Sequence, residues 1–104
     1  MAKSSYEIRM NYKRAVEQAN TLEQIAADMR NSVENDLQEC INEISCNWVG
    51  NNANAYMAKC QRLGESVRGT AENLKKTADT IRKIAKNTYT AEMRALELAR
   101  IRKY

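Results

Sequence analysis

The stretch Ser45-Cys46-Asn47-Trp48-Val49-Gly50-Asn51-Asn52, at the middle of the chain, carries the strongest turn signal in the sequence. Asparagine and glycine tolerate left-handed backbone conformations and are common where helices begin or end. The sequence therefore predicts a turn over residues 46–52, in which Gly50 redirects the chain and Asn51 or Asn52 caps a second helix.

Outside this stretch, residues that break helices are almost absent. The 104 residues include no proline and only three glycines, and sheets need turn residues far more often. We therefore expect long helices.

Histidine is also absent, so the commonest general base and metal ligand are missing, and no two cysteines have zinc-site spacing. We expect no enzymatic activity, no catalytic residue, no metal and no cofactor.

The first half of the chain predicts a helix over about 5–45. Ser4 and Glu7 form a capping box at its start, and apolar residues then recur in steps of three and four, as in a heptad repeat. This seam slips by one residue at Asp36 and Leu37, which relaxes the supercoil locally. The seam of this helix includes Leu22, Met29, Val33, Leu37 and Ile41.

The second half predicts a helix over about 53–101, with a break near 87–90 where threonine and asparagine weaken helix formation. Its heptad seam includes Leu63, Val67, Leu74, Ile81 and Ile84. Beside the seam, every seventh residue is small, which widens the buried face and allows close helix approach: Gly64, Ala71, Ala78 and Ala85.

The two halves carry opposite charge. Residues 1–47 hold five basic and eight acidic residues, whereas residues 53–104 hold twelve basic and five acidic ones. This difference favours folding of one half onto the other. We predict an all-α fold with one domain over 1–104, an antiparallel two-helix hairpin. Because its apolar stripes are broader than a two-stranded seam requires, we expect it to dimerise into a four-helix bundle.

A hairpin of about one hundred residues with Trp48-Val49-Gly50 at its centre resembles the WXG family of type VII secretion substrates. The resemblance spans nearly the whole chain, from Leu22-Glu23-Gln24-Ile25-Ala26 through the turn to the periodicity of the second helix. It implies a homodimer or heterodimer that is made in the cytoplasm and exported without a cleaved signal peptide. Trp48 and Gly50 would then belong to a recognition surface, although a bundle-end plug is the alternative role of Trp48.

In this family the recognition surface also includes a C-terminal Tyr-x-x-x-Asp/Glu motif, from which this sequence departs. Four residues after Tyr89 comes Met93, and the acid, Glu92, is one position early. Tyr89 and Glu92 are therefore candidates for an altered export signal, or ordinary surface residues. The tail resembles small WXG-like proteins that accompany larger toxins with an LXG domain, which makes such a toxin and the secretion ATPase candidate partners.

The cysteines leave two alternatives open. Cys40 and Cys60 lie ten residues on either side of Gly50, so they would face each other in the hairpin and could form a disulfide after export. Cysteine is also a small apolar residue that suits a helix seam as a free, buried thiol.

A nucleic-acid-binding hairpin is the alternative function. Arg68, Lys75, Lys76, Arg82 and Lys83 form a basic stripe that would suit phosphate contacts. Acidic residues in the adjacent row and the acidic first helix weigh against nucleic acid as a partner. No apolar run has the length of a membrane span or the form of a signal peptide, so we expect no stable membrane insertion.

Overall fold

The computed structural model describes residues 3–48 and 50–102, and nearly all of them are helical. Helix α1 spans Ser5–Asn31, a π-helical segment spans Ser32–Leu37, α2 spans Gln38–Asn47 and α3 spans Asn51–Arg102. The described residues contain no strand, which agrees with the predicted all-α class.

The start of α1 follows from the capping residue before it. The Glu7 backbone N–H donates to Ser4 Oγ at 3.1 Å, and the Ile8 N–H donates to the Ser4 carbonyl at 3.1 Å. These bonds satisfy backbone donors that have no partner within the first turn of a helix. The predicted helix start is observed.

The prediction of one continuous helix over 5–45 is wrong, because the π-helical segment divides this arm and α2 continues to Asn47. Within the segment the turn widens, and the Gln38 N–H reaches back to the Val33 carbonyl, five residues earlier. The one-residue slip of the apolar pattern lies in this segment. Val33 and Ile41 are both buried although Ile41 follows Val33 by eight positions, one more than a heptad. The wide turn keeps both side chains on the inner face.

The turn is shorter than predicted. The Trp48 N–H donates to the Ile44 carbonyl at 2.9 Å, and Gly50 has a φ of +106°, a conformation that side chains strongly disfavour. The Gly50 carbonyl then accepts a bond from the Asn54 N–H at 3.2 Å. Gly50 therefore precedes the helix, and Asn51 and Asn52, which were expected to cap it, lie inside its first turn.

Helix α3 runs through residues 87–90 without the predicted break. Tertiary packing explains this difference, since Tyr89 is half-buried and its ring lies 5.0 Å from that of Tyr12, centroid to centroid. Packing of this kind overrides the low intrinsic helix preference of neighbouring threonine and asparagine.

Contacts divide the chain into two compact units that share α1 and α3. Unit 1 combines Met1–Leu22 with Lys76–Tyr104, and unit 2 is Glu23–Lys75. Within each unit the two arms pack antiparallel, because a residue later in the first arm meets one earlier in α3. In unit 1, Tyr12 meets Tyr89 and Asn20 meets Arg82. The expectation of a single domain over 1–104 stays a prediction.

Alanine dominates the inner face of both units. Of the nine buried apolar residues in the described chain, six are alanines, and Gly64 is buried beside them. We call the inner residues of α3, which recur every seventh position, the small row: Gly64, Ala71, Ala78 and Ala85. The sequence reading placed this row beside the seam, but in the structure it forms the centre of the helix contact.

Candidate functional site

The predicted seam residues occupy three environments. Val33 and Ile41 are buried inside unit 2. Leu63 and Ile84 are 57% and 59% exposed, so they are not buried between the two arms. The remaining six are half-buried at the edge of the helix contact: Leu22, Met29, Leu37, Val67, Leu74 and Ile81.

Leu63 and Ile84 belong to an exposed row of α3 that lies beside the small row. This row, which we call the open row, consists of Tyr56, Leu63, Thr70, Thr77, Ile84, Ala91 and Leu98, all of them exposed. In unit 2 it presents Tyr56 and Leu63, and in unit 1 it presents Ile84 and Leu98. Scattered apolar residues on a surface are ordinary, but four large ones on one heptad row indicate a face that another helix can cover.

In unit 1 the open row borders an apolar groove between the two arms. Its volume is about 270 Å³. The lining residues are Ile8, Asn11, Tyr12, Ala15, Ile81, Ile84, Ala85, Thr88, Tyr89 and Glu92. Apolar side chains from both arms therefore remain accessible on this side of unit 1.

Polar pairs occupy the other side of the helix contact. In unit 1, Arg82 donates to Asn20 Oδ1 at 2.8 Å and to Asp79 Oδ1 at 2.9 Å. In unit 2, Arg30 pairs with Glu72. Each unit thus has an ionic or hydrogen-bonded side and an apolar side, and the apolar side is the candidate interface.

The turn presents two aromatic residues. The Trp48 and Tyr56 rings lie 5.9 Å apart, centroid to centroid, and the two residues are 55% and 51% exposed. Trp48 is therefore packed on one side and accessible on the other. Tyr56 was not identified as a site residue from the sequence. Its position eight residues after Trp48, across a short turn, was the available signal for this pairing.

Tyr89 and Glu92 are held within unit 1. Tyr89 contacts Tyr12, and the Glu92 carboxylate lies 2.9 Å from Lys3 Nζ. Both residues are half-buried. Their candidate role in export thus coincides with a role in joining the two chain segments of this unit. The contact of Tyr89 with Tyr12 could not be predicted from the sequence.

All three cysteines are free thiols in the structure. Cys40 is exposed and Cys60 is half-buried, so the alternative of two buried thiols does not hold for Cys40. A disulfide between these residues stays a prediction.

The described residues contain no group of His, Cys, Asp and Glu suited to a metal ion, and none of the described helices could cross a membrane.

The basic stripe of α3 is partly engaged in contacts within the chain. Arg82 is half-buried and bonded to Asn20 and Asp79. Arg68, Lys75, Lys76 and Lys83 are exposed, and the acidic residues Glu65, Glu72 and Asp79 lie on an adjacent row. These acids reduce the attraction for phosphate.

A family model described as "WXG100: Proteins of 100 residues with WXG" matches residues 7–93. The chain belongs to the WXG100 family. Among the curated proteins and solved structures compared with it, none gives a significant match.

Membership agrees with the observed helical hairpin and its central Trp48 and Gly50. WXG100 proteins are small helical substrates of type VII secretion systems, exported without a signal peptide, and they are in general not enzymes. Members of the family typically dimerise. For this WXG100 protein, the open row is the described surface whose spacing suits such an association.

Proposed function

We propose that this WXG100 protein binds a second helical hairpin through its open row and is exported in that form, as a dimeric substrate or as the targeting partner of a larger LXG-type toxin. The secretion ATPase would recognise the exported complex. The observation that carries the proposal is the exposure of four large apolar residues on one row of α3, two in each unit. The inner positions of α3, where large apolar residues normally pack, hold alanine or glycine instead.

The total accessible surface supports a missing partner. It is 8165 Å², whereas a folded monomer of 11.9 kDa has about 6,000 Å² on the usual size relation. The excess of about 2,000 Å² exceeds the area of about 800 Å² that each partner buries in an ordinary stable interface. A second hairpin is the simplest cover, because pairs of helices bury heptad rows in four-helix bundles.

The open row gives the first test. Replacing Leu63 and Ile84 together by Asp places two carboxylates at the centre of the proposed interface, where unpaired charges cost several kcal/mol. We expect a loss of association of at least about 100-fold, which corresponds to about 2.7 kcal/mol, with helicity retained. Light scattering and sedimentation would measure mass, and circular dichroism would measure helicity.

The matched control replaces Ala27 and Thr90 by Asp. Both residues are exposed and lie off the open row, so this variant gains the same two carboxylates. It should associate as the natural chain does. If the Leu63 and Ile84 variant keeps its dimer mass, the open row is not the interface. Asp at Leu74 or Ile81 should also abolish association, but these residues are half-buried, so that change weakens the hairpin itself.

Trp48 tests the export role of the turn. We expect Trp48→Ala to reduce export while helicity and unfolding temperature change little, since half of the side chain is already exposed. Tyr6→Ala is the control, because Tyr6 is an aromatic residue with 70% exposure away from the turn. The measurement is the ratio of secreted to cellular protein in a host with a type VII system. Equal losses of export and folding would reduce Trp48 to a packing role.

Two further experiments separate the finer roles. Co-purification with an LXG-domain protein encoded beside this chain would support the role of targeting partner, and export of the chain alone would support that of an independent substrate.

Titration with DNA at two salt concentrations addresses the alternative function. Salt-sensitive micromolar binding would favour a nucleic-acid-binding protein, because phosphate contacts release counterions.

A further inference from the structure

Unit 1 contains a second groove, between the start of α1 and the last turns of α3. Its volume is about 470 Å³. The apolar part of its lining consists of Tyr89, Met93 and Leu96, all half-buried. These residues follow one another by four and three positions, so they form a stripe along one side of α3. Unit 1 therefore carries an apolar stripe in addition to its part of the open row.

Arginine residues surround this stripe. Arg9 of α1 and Arg94 and Arg100 of α3 line the same groove, and all three are exposed. The lining includes one acidic residue, Glu97. The groove that borders the open row differs, because its lining includes no lysine or arginine. We call the stripe and its three arginines the basic groove: Tyr89, Met93, Leu96, Arg9, Arg94 and Arg100.

The three arginines of the basic groove are open to a partner. Their guanidinium groups form no ion pair with the residues that the structure describes, whereas Lys3 and Arg82 pair with carboxylates of unit 1. Unit 1 has twelve basic and five acidic residues, a net charge of +7, so its own carboxylates are too few to neutralise it. A guanidinium group donates two parallel hydrogen bonds to a carboxylate. These charges favour an anionic occupant.

The basic groove and the open row lie on different sides of α3. Met93 follows Ile84 by nine positions, and nine positions at about 100° each amount to two and a half turns. The two side chains therefore leave α3 in opposite directions. A hairpin bound to the open row leaves the basic groove accessible, so both surfaces can be occupied at the same time.

The apolar stripe distinguishes between the classes of anionic partner. A nucleic-acid backbone is bound by cations and hydrogen-bond donors, and it would leave the three apolar side chains uncovered. A membrane surface is entered by apolar residues that protrude, whereas here the arginines are exposed and the apolar residues are half-buried. An amphipathic helix with acidic flanks suits both parts, because its apolar face can fill the groove while its carboxylates meet the arginines.

We propose that the basic groove binds an acidic amphipathic helix of a partner protein. The inference goes beyond the proposed function, because it assigns a surface that association through the open row does not use. The groove runs from Tyr89 to Arg100, which is about 16 Å along α3 or about three turns of a bound helix. The bound helix carries apolar residues every third or fourth position, with aspartate or glutamate beside them.

A synthetic peptide tests this proposal on the full chain. It consists of three heptads with leucine at the two apolar positions and glutamate at the flanking positions, and a second peptide has glutamine in place of every glutamate. Fluorescence anisotropy of the labelled peptides measures Kd. We expect the glutamate peptide to bind at least about tenfold more tightly than the glutamine peptide. Replacing Leu63 and Ile84 by Asn alters the open row without changing the net charge, and it should change this Kd by less than about twofold.

The arginines are tested by a pair of matched variants. Arg9→Gln with Arg100→Gln removes one arginine from each arm of the groove, and we expect Kd for the glutamate peptide to rise at least about tenfold. Lys59→Gln with Arg62→Gln is the control, because both residues are exposed, lie in unit 2 and carry the same total charge. It should change Kd by less than about twofold. Circular dichroism and light scattering should show unchanged helicity and mass for both variants.

The apolar stripe is tested by Met93→Gln. This change keeps the charge of the groove and makes its half-buried centre polar. We expect Kd for the glutamate peptide to rise at least about threefold, since apolar surface of the bound helix then lies against an amide. A polyanion held by the arginines alone would bind this variant and the natural chain equally.

Three results would overturn the proposal. Equal losses in the two matched variants would mean that net charge alone attracts the peptide. Absence of binding at peptide concentrations up to about 200 μM would exclude a useful affinity for this class of helix. If duplex DNA or vesicles containing phosphatidylglycerol bind more tightly than the peptide and depend equally on Arg9 and Arg100, the occupant is a nucleic acid or a membrane. The proposed function is tested separately, by the mass of the variant with Asp at Leu63 and Ile84, so either proposal can fail alone.

Discussion

Helix α3 runs from Asn51 to Arg102 as one uninterrupted α-helix, whereas the arm that packs against it is divided into α1, the π-helical segment and α2. Both arms present small or β-branched residues to the inner face. In α3 the small row repeats every seven positions, whereas in the first arm Ile41 follows Val33 by eight positions. The wide turn compensates for the additional residue, so an irregular arm can match a regular one.

Deletion of a single residue should give the largest difference in stability between the two arms. Removing Asn35, an exposed residue of the π-helical segment, restores a spacing of seven between the flanking buried residues. We expect this variant to unfold cooperatively, with a melting temperature within about 8 °C of the natural chain, since about 1 kcal/mol shifts it by that much at most. Thermal unfolding followed by circular dichroism is the measurement.

The matched deletion removes Thr80, an exposed residue of α3. It rotates every later residue by about 100° around the helix and moves Ala85 off the inner face. We expect this variant to lose the cooperative transition of unit 1. Equal tolerance of the two deletions would show that the π-helical segment does not set the register.

Substitutions at two glycines of α3 should differ less in their effect on stability than the two deletions do. A Cβ at Gly64 would lie 3.1 Å from Leu37 Cδ2 and 3.3 Å from Val33 Cγ1, both in the π-helical segment, whereas a Cβ at Gly69 meets no atom within 4 Å. Alanine favours helices, so Gly69→Ala should stabilise the protein by about 0.5–1 kcal/mol. Gly64→Ala should be less stable than Gly69→Ala by about 1–2 kcal/mol, because the neighbours must shift.

Denaturant unfolding at one fixed protein concentration measures this difference, since dimerisation makes stability depend on concentration. Equal stabilisation by both substitutions would mean that Val33 and Leu37 move aside without cost. The divided arm would then be the more adaptable of the two.

The ion pair between the arms should have the smallest effect. The Arg30 and Glu72 side chains are 46% and 48% exposed, so solvent screens their attraction. We expect Arg30→Ala to lower the free energy of unfolding by less than about 1 kcal/mol. A double-mutant cycle with Glu72→Ala isolates the pair, and its coupling should decrease at high salt. A coupling above about 2 kcal/mol would show that this pair, rather than apolar packing, sets the register of unit 2.

Features that depend on residues close together in the sequence were predictable, whereas features that depend on tertiary contacts were not. Ser4 and Gly50 mark a helix start and a turn through chemistry that is local to each residue, so both were predictable. The heptad periodicity of α3 was predictable as well. Which row of α3 faces inward was not predictable, because Leu63 and Gly64 lie on adjacent faces and either row could point inward. Small residues opposite, such as Ala19 and Ala26, let the arms approach closely and favour the small row.

Two other features depend on contacts far apart in sequence. The slip at Leu37 was visible, but both a relaxed supercoil and a π-helical turn can absorb one residue, and only the opposing arm selects between them. The continuity of α3 through residues 87–90 depends on the ring of Tyr12, more than seventy residues away. Among the site residues, Trp48 was identified by its motif, whereas its neighbour Tyr56 required the turn geometry.

The alanine inner face has a consequence for the life of the protein in the cell. A buried alanine contributes far less transfer free energy than a buried leucine, so an unaccompanied hairpin should open often. Proteases act on opened chains, and binding partners withdraw chains from that population. We therefore expect the steady-state abundance of this protein to follow the fraction of its copies that are bound to a second hairpin. Unpaired copies would be degraded before they could occupy the secretion machinery alone.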